Sequence, residues 1–570
     1  MRKLLFLMAT IAIVSCGDGG GVFEDQDVMT LDELRELNQK ALSFEDAGDF
    51  HGDLLAVKAD GMWGLLNYKT DELVIGFKYD TISYNNKGWW SLSIHDAWAV
   101  SKSDVADENG NILKLNENNN HTMPLSKDLL LSTYEKGTNI KRVLVDSKLN
   151  PVLKDTFFYV SNNEAGNNIV LSDDKNSCFT LVSITDNGVV IKKIKDKYKA
   201  VNGCPDEGLY SVTDSADKYG FINRDGKVIV PCKYGDIEYY GFENGLAVVG
   251  DSWDAVNTII KTDGTEVLKI GYAKRIHPFS EGFAAVEKED GCAFIDKGGK
   301  IQFELSDVSC FSRFVNGVAI VIKNGEDEFG ADSKFGVINK KGDYIIPLQD
   351  EHIDEAHMSN GFIVVCDNVI SDGGKYGLFN LNGERLLETK YDLIAFSSKG
   401  VIRVKINGHS YYVNTKGETG LSNLEEAIAK GEEARKDFLT KHADMRFNLM
   451  WTIENNIFYM FDRVSPNILK DKSAIKNLTQ EKDGTYSAQV EFETKNGQYF
   501  YKLSNMKFNE KGHFEDSFDP WKTEITFVPN MERVDPNAVY VLPFHLPNAE
   551  EQLMYYNEKL MQGNRYNPYK

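Results

Sequence analysis

Short apolar runs separated by polar turns that end in glycine recur along most of the chain. In Phe242-Glu243-Asn244-Gly245-Leu246-Ala247-Val248-Val249 a turn leads into a strand-like run. The arrangement returns around Gly282, Gly317, Gly361 and Gly400, at spacings of 37, 35, 44 and 39 residues. A second glycine series runs in phase with the first. Tyr219-Gly220-Phe221-Ile222-Asn223-Arg224-Asp225-Gly226 sets an apolar run before an Asx-containing turn, and its counterparts end at Gly264, Gly299, Gly342, Gly383 and Gly417, spaced by 38, 35, 43, 41 and 34. Glycine at such a turn takes positive φ without steric cost, and Asn or Asp bonds back to the local backbone. Each unit therefore reads as a hairpin plus one strand, with a possible short fourth. A lone hairpin is marginal in water, so each unit must bury its apolar face against its neighbours. Turn positions near Thr70, Gly110, Asn150 and Gly188 carry the spacing upstream and give about ten units between Asp46 and Gly420.

The flanks have helical patterns. Thr30-Leu31-Asp32-Glu33 is a capping box that predicts a helix to about Leu42. Ser422-Asn423-Leu424-Glu425 is a second box, opening a helix with Leu424, Ile428, Ala434, Phe438 and Leu439 at helical spacing, and another helix is predicted from Asp444 to Arg463. Tyr486 to Glu493 alternates apolar and polar residues, Asn496-Gly497 is a hairpin turn, and Tyr499 to Phe508 returns. Further strands are expected around Phe514 and from Glu524 to Val528. The predicted fold class is mainly β: a tandem three-stranded β-repeat array, propeller-like or an open superhelix, followed by a small α+β domain. The predicted boundaries are 1–15 for a leader, 16–45 for a tether and short helix, 46–420 for the array and 421–570 for the α+β domain.

The N-terminus changes the picture from fold to address. Arg2 and Lys3 precede an apolar run from Leu4 to Val14, too short for a membrane span of ~20 residues. The segment Ile13-Val14-Ser15-Cys16 resembles the lipobox of bacterial lipoproteins. That resemblance implies cleavage before Cys16, acyl chains such as palmitate on Cys16, and a membrane-tethered protein of the cell envelope. By the same resemblance, Gly17 rather than Asp behind the cysteine implies the outer membrane, facing either the periplasm or the outside. The formal charge of −22 argues against nucleic acid as a partner, because phosphate affinity depends on a basic surface.

Trp63-Gly64, Tyr219-Gly220, Phe335-Gly336 and Tyr376-Gly377, each followed by a hydrophobic pair and an Asx, resemble the WG-containing repeat. The tails Lys78-Tyr79-Asp80 and Lys390-Tyr391-Asp392 fit its second half. The resemblance implies a β-repeat architecture with a binding or scaffolding role, and it carries no catalytic residues to transfer.

Candidate chemistry is sparse. Trp89-Trp90 follows a turn ending in Gly88; a Trp exposed there would form a platform for a sugar or peptide, whereas core packing is the commoner fate of such a pair. His352 and His357 are five apart, off the helical spacing of a zinc site. The insertion with Asp327 and Asp332 lacks the alternation of a calcium loop. Neither a nucleophile elbow nor a phosphate loop occurs, so no catalytic residue, metal ligand or cofactor is assigned. Six cysteines beyond Cys16 (Cys178, Cys204, Cys232, Cys292, Cys310, Cys366) form no C-x-x-C pair, allow 15 pairings, and sit mostly in apolar runs. The expected function is a lipid-anchored binding or scaffold protein for a protein, peptide or glycan. The alternative is an enzyme on envelope polysaccharide or peptide, with its site at the array centre or in the C-terminal domain.

Overall fold

The computed structural model describes residues 29–529 apart from short stretches, of which 461–474 and 514–523 are the longest. Cys16, Cys204, Asp327, Asp332, His357, Asn496-Gly497 and the strand expected near Phe514 lie outside the described residues. The chain divides into two compact units: residues 1–41, 47–56 and 81–422 in the first, and 42–46, 57–80 and 423–570 in the second.

The protein is mainly β. Among the described residues ten successive antiparallel units follow one another. They occupy 46–79, 81–146 (two units in one six-stranded sheet), 159–193, 200–234, 236–306 (two units in one sheet), 309–349, 352–391 and 393–414. Most have four strands rather than three. In units two and three the fourth strand shrinks to a bridge, Ala106 with Ile112 and Val145 with Pro151.

The two glycine series have distinct structural roles. In the second series, Asn223 Oδ1 accepts from the amides of Asp225 at 3.0 Å and Lys227 at 2.9 Å, and Gly226 takes a φ of 74°. Asn339, Asn380 and Asn414 build the same turn. At three members of the first series both central residues are left-handed, Asn244 (53°) with Gly245 (80°), Glu281 (52°) with Gly282 (92°) and Asn316 (51°) with Gly317 (84°), which is the turn whose twist matches the strands.

The glycine after the aromatic residue is required for a third reason, close approach. Pairing between the third and fourth strands slips at this position in units one, five, eight and nine. A Cβ on Gly220 would lie 2.6 Å from the Val230 carbonyl oxygen, and one on Gly64 would lie 2.7 Å from that of Ile75. The tyrosines of the Lys-Tyr tails are buried, and the preceding lysine Nζ lies 5.1, 4.8 and 5.6 Å from the rings of Tyr79, Tyr234 and Tyr391.

Apolar clusters straddle neighbouring units, as a hairpin's inability to bury its own face requires. Leu209, Phe221 and Val230 of unit five pack with Phe242, Ala247 and Ile260 of unit six. The same holds further on, where Ile320 and Val337 of unit eight meet Ile353 and Ile363 of unit nine. Turn side chains also stitch neighbouring units. Asn316 Nδ2 donates to the Met358 carbonyl at 2.9 Å, and Ser280 Oγ donates to that of Phe314 at 2.6 Å.

The two ends of the array meet within the first unit. Helix α1 (Leu31–Ala41), capped as expected by reciprocal Thr30 and Glu33 bonds, lies against the last strand, His409–Asn414. There Asn38, fully buried, pairs its side-chain amide with the Tyr412 backbone: Nδ2 donates to the carbonyl at 2.8 Å and Oδ1 accepts from the amide at 2.7 Å. Nδ2 also reaches the Thr419 carbonyl at 2.8 Å. The tenth unit has three strands, and Asn38 bonds the outer edge of its third. The Tyr412 hydroxyl donates to the Gly48 carbonyl, Arg403 Nη1 donates to that of Ala47 at 3.2 Å, and the Phe50 and Tyr412 rings meet at 5.6 Å. The array is therefore closed rather than open.

The second unit holds α2 (Leu424–Lys441), α3 (Phe447–Met460) and a sheet of Ile475–Gln480, Tyr486–Glu493, Tyr499–Phe508 and Glu524–Pro529 in that order. The α2 cap falls one residue later than the sequence suggests: Asn423 accepts from the Glu426 amide at 3.2 Å. Val57–Asp80 belongs with this unit, and Asp60 Oδ2 accepts from the Leu449 amide at 2.8 Å in the first turn of α3.

Asn38→Leu, similar in size, removes the amide pairing and leaves buried Tyr412 groups unsatisfied. It should lower stability by about 3 kcal/mol in urea unfolding and speed amide exchange at Tyr412; an unchanged midpoint would refute the role given to Asn38. Gly220→Ala should cost about 2 kcal/mol by overpacking, read as a lower thermal midpoint.

Candidate binding surface

Units six to ten each begin with a very short strand of two to four residues. Its central residue (Ile237, Ile276, Cys310, Ile353 or Ile394) is buried in the inter-sheet core. Alternation along a strand turns the residues on either side of it to the opposite face. In units six and seven those flanking residues are Asp236 and Glu238, then Arg275 and His277.

They form an ionic cluster. Arg275 Nη1 pairs with the Glu238 carboxylate, Nη2 donates to the Trp253 carbonyl at 3.0 Å, and Nη2 lies 3.9 Å from Asp236. His277 Nε2 meets Glu287 Oε1 at 2.9 Å. The Glu238 side chain is only 7% exposed. Burial raises its carboxyl above the ordinary value; Arg275 and then His277 pull it back, while Asp236 and Glu287 add to the rise. Trp253, in the turn joining two strands of unit six, is 76% exposed, the largest bare aromatic beside this cluster. In unit eight the matching position is Phe311, 40% exposed, edge-on to Phe335 at 5.7 Å and to His352 of unit nine at 6.2 Å.

The Trp89-Trp90 platform is corrected by the structure. Both rings are buried, at 5% and 0% exposure, because their strand, Trp89–His95, lies inside a six-stranded sheet covered on both faces. Trp89 packs with Val105, Leu130 and Val145 and donates to the Ser126 carbonyl at 3.2 Å. Trp90 meets Tyr84 edge-on at 5.0 Å. His352 packs against Phe335 at 4.6 Å, and among the described residues no group of His, Cys, Asp or Glu could hold a metal ion. The repeat pattern does not single out Trp253, although an aromatic in the polar turn Asp251-Ser252-Trp253-Asp254 has no packing partner in that pattern.

The second unit has a pocket of about 710 Å³ lined by four cationic and four carboxylate side chains. At its wall Arg446 donates to Asp60 Oδ1 at 3.1 Å and to the Tyr486 hydroxyl at 2.5 Å. This is a polar recess whose charges tie α3 to the hairpin turn at Asp60, in contrast to the apolar cavity that a small-ligand site requires.

The raised Glu238 carboxyl makes stability pH-dependent. A folded pKa above the unfolded one gives stabilisation that is complete below the ordinary carboxylate range and lost as pH rises through the folded value. Glu238→Gln removes that loss. Its stability relative to the wild-type protein should rise as pH climbs above the ordinary carboxylate range, from about pH 4, in urea midpoints; a flat or falling difference would contradict the assignment.

Residues 219–250, 258–300 and 376–408 match the WG containing repeat. The first and third matches begin at the third strand of one sheet and end at the second strand of the next. No curated protein matches the sequence. Similar solved structures include one of the eukaryotic initiation factor (8% identity, 59% of this chain and 96% of that one, TM-score 0.40). Others are the C-terminal WD40 domain of Sif2 (13%, 51% and 92%, 0.28) and apo AztD from Citrobacter koseri (14%, 50% and 97%, 0.26). The chain is a β-repeat protein with three stretches similar to the WG containing repeat.

Proposed function

We propose that the protein is a lipid-anchored scaffold of the cell envelope that binds a protein, peptide or glycan through its β-repeat surface. The observation that carries this reading is the run of charged and aromatic side chains on the short first strands of units six to nine, with Trp253 bare beside it. Packing fixes the central residue of each of these strands and leaves the identity of its neighbours free to vary, with Arg275 and Trp253 reaching the surface. Paired charges beside an exposed indole suit a partner with both polar groups and a flat apolar face, as peptides and sugar rings have. The anchor rests on the lipobox-like segment at Cys16, and two or more acyl chains give stable membrane attachment.

The test is capture of envelope glycan fragments and envelope proteins by immobilised full-length protein, compared with Trp253→Ala. The variant should lose about tenfold in affinity, the worth of one good aromatic contact; equal capture by both proteins would remove this face from the reading. Cys16→Ser should shift the protein from the membrane to the soluble fraction, and unchanged partitioning would remove the anchor.

A further inference from the structure

Cys292 lies in the strand Gly291–Asp296 of unit seven and Cys310 in the strand Ser309–Cys310 of unit eight. These strands belong to different sheets. Both side chains nevertheless sit in one apolar cluster with Ala285, Phe294, Phe314 and Val321, at 0% and 7% exposure. The Cys292 side chain, and after it burial, pushes the Cys310 thiol up. The other described cysteines, Cys178, Cys232 and Cys366, lie in units four, five and nine.

We propose that Cys292 and Cys310 are a disulfide-forming pair that staples unit seven to unit eight. The oxidant is a disulfide of the thiol–disulfide exchange class, a small molecule or a protein dithiol carrier. One cysteine thiolate attacks the oxidant's S–S bond and releases one thiol. The second cysteine then attacks the mixed disulfide, forming the Cys292–Cys310 bond and releasing the second thiol, so two electrons and two protons pass to the oxidant. The attacking species is the thiolate, which is scarce in a buried pair whose thiol is held up. Exchange is therefore fast while these repeats assemble and slow once the cluster has closed. The same burial shields the finished bond from reductant. A crosslink here acts where the neighbouring sheets share apolar packing without a continuous ladder, and it closes a loop with cysteines 18 positions apart, which restricts the unfolded chain.

The full chain is refolded in a mixture of reduced and oxidised glutathione, alkylated to trap thiols, and digested without reduction. The expected result is a peptide linking Cys292 to Cys310, together with a thermal midpoint that falls when the protein is refolded under reductant. Cys310→Ala should remove the linked peptide and the effect of reductant on melting, whereas Cys366→Ala should leave both in place. Recovery of Cys292 and Cys310 as alkylated thiols after oxidative refolding, or linked to other cysteines, overturns the proposal. The peptide map of the wild-type chain decides the matter even where a variant does not fold.

Discussion

A row of β-sheets packed against one another leaves an apolar face and an unpaired strand edge at each end, and both must be covered in water. In this protein the ends cover each other, and the edge is sealed by a side chain. The Asn38 amide presents a donor and an acceptor at the spacing of a peptide group, so it bonds Tyr412 as a neighbouring strand would. The pairing is buried, so neither partner has water to fall back on, and a missing bond costs the full desolvation of the group left behind. Arg403 and Asp49 join the same seam. Arg403 bonds the Ala47 carbonyl, while Asp49 accepts from the Tyr84 amide at 3.0 Å and has its carboxyl raised by burial against the pull of Arg403. Helix α1 thus acts as a latch, and its capping box and apolar face hold Asn38 at the edge.

The phase of the matched stretches explains why a latch is needed at one place only. A stretch such as 219–250 supplies the last strands of one sheet and the first strands of the next. Each link of the array is therefore covalent as well as apolar. At the seam that continuity ends, and the tenth unit has three strands. The bonds of α1 to its last strand provide there what chain connectivity provides elsewhere.

The repeat was legible because its turns have strict local chemistry. Left-handed backbone at Gly226 or Gly245 and the Asx bonds of Asn223 are determined within a few residues, so they leave a mark in every copy. The fourth strand was less visible. It faces solvent, as the alternation of exposed residues in Ile301–Ser306 shows, so packing constrains few of its side chains. The strand Ile475–Gln480 was missed because polar Lys476 and Asn477 interrupt its alternation. Closure was illegible for a stronger reason: it joins Asn38 to Tyr412, 374 residues apart, and no periodicity encodes a contact made once. Trp89 and Trp90 show the limit of local reading at a site, since adjacent strand residues face opposite ways and both faces happen to be covered.

The ionic cluster of units six and seven stands apart from this economy of packing. Along the first strands the central residue stays apolar (Ile237, Ile276, Cys310, Ile353 and Ile394), as the core demands. The flanking residues change from unit to unit, from Asp236 and Glu238 to Arg275 and His277 to Ser309 and Phe311. Repeat packing therefore does not dictate them. Keeping Glu238 nearly buried is also unfavourable in itself, because desolvation raises its carboxyl despite Arg275, and an apolar pair of similar volume is often equal or better for stability. A charged pair is held in that position against its own desolvation, next to an indole left in water, so its placement is set by something other than the stability of the repeat core.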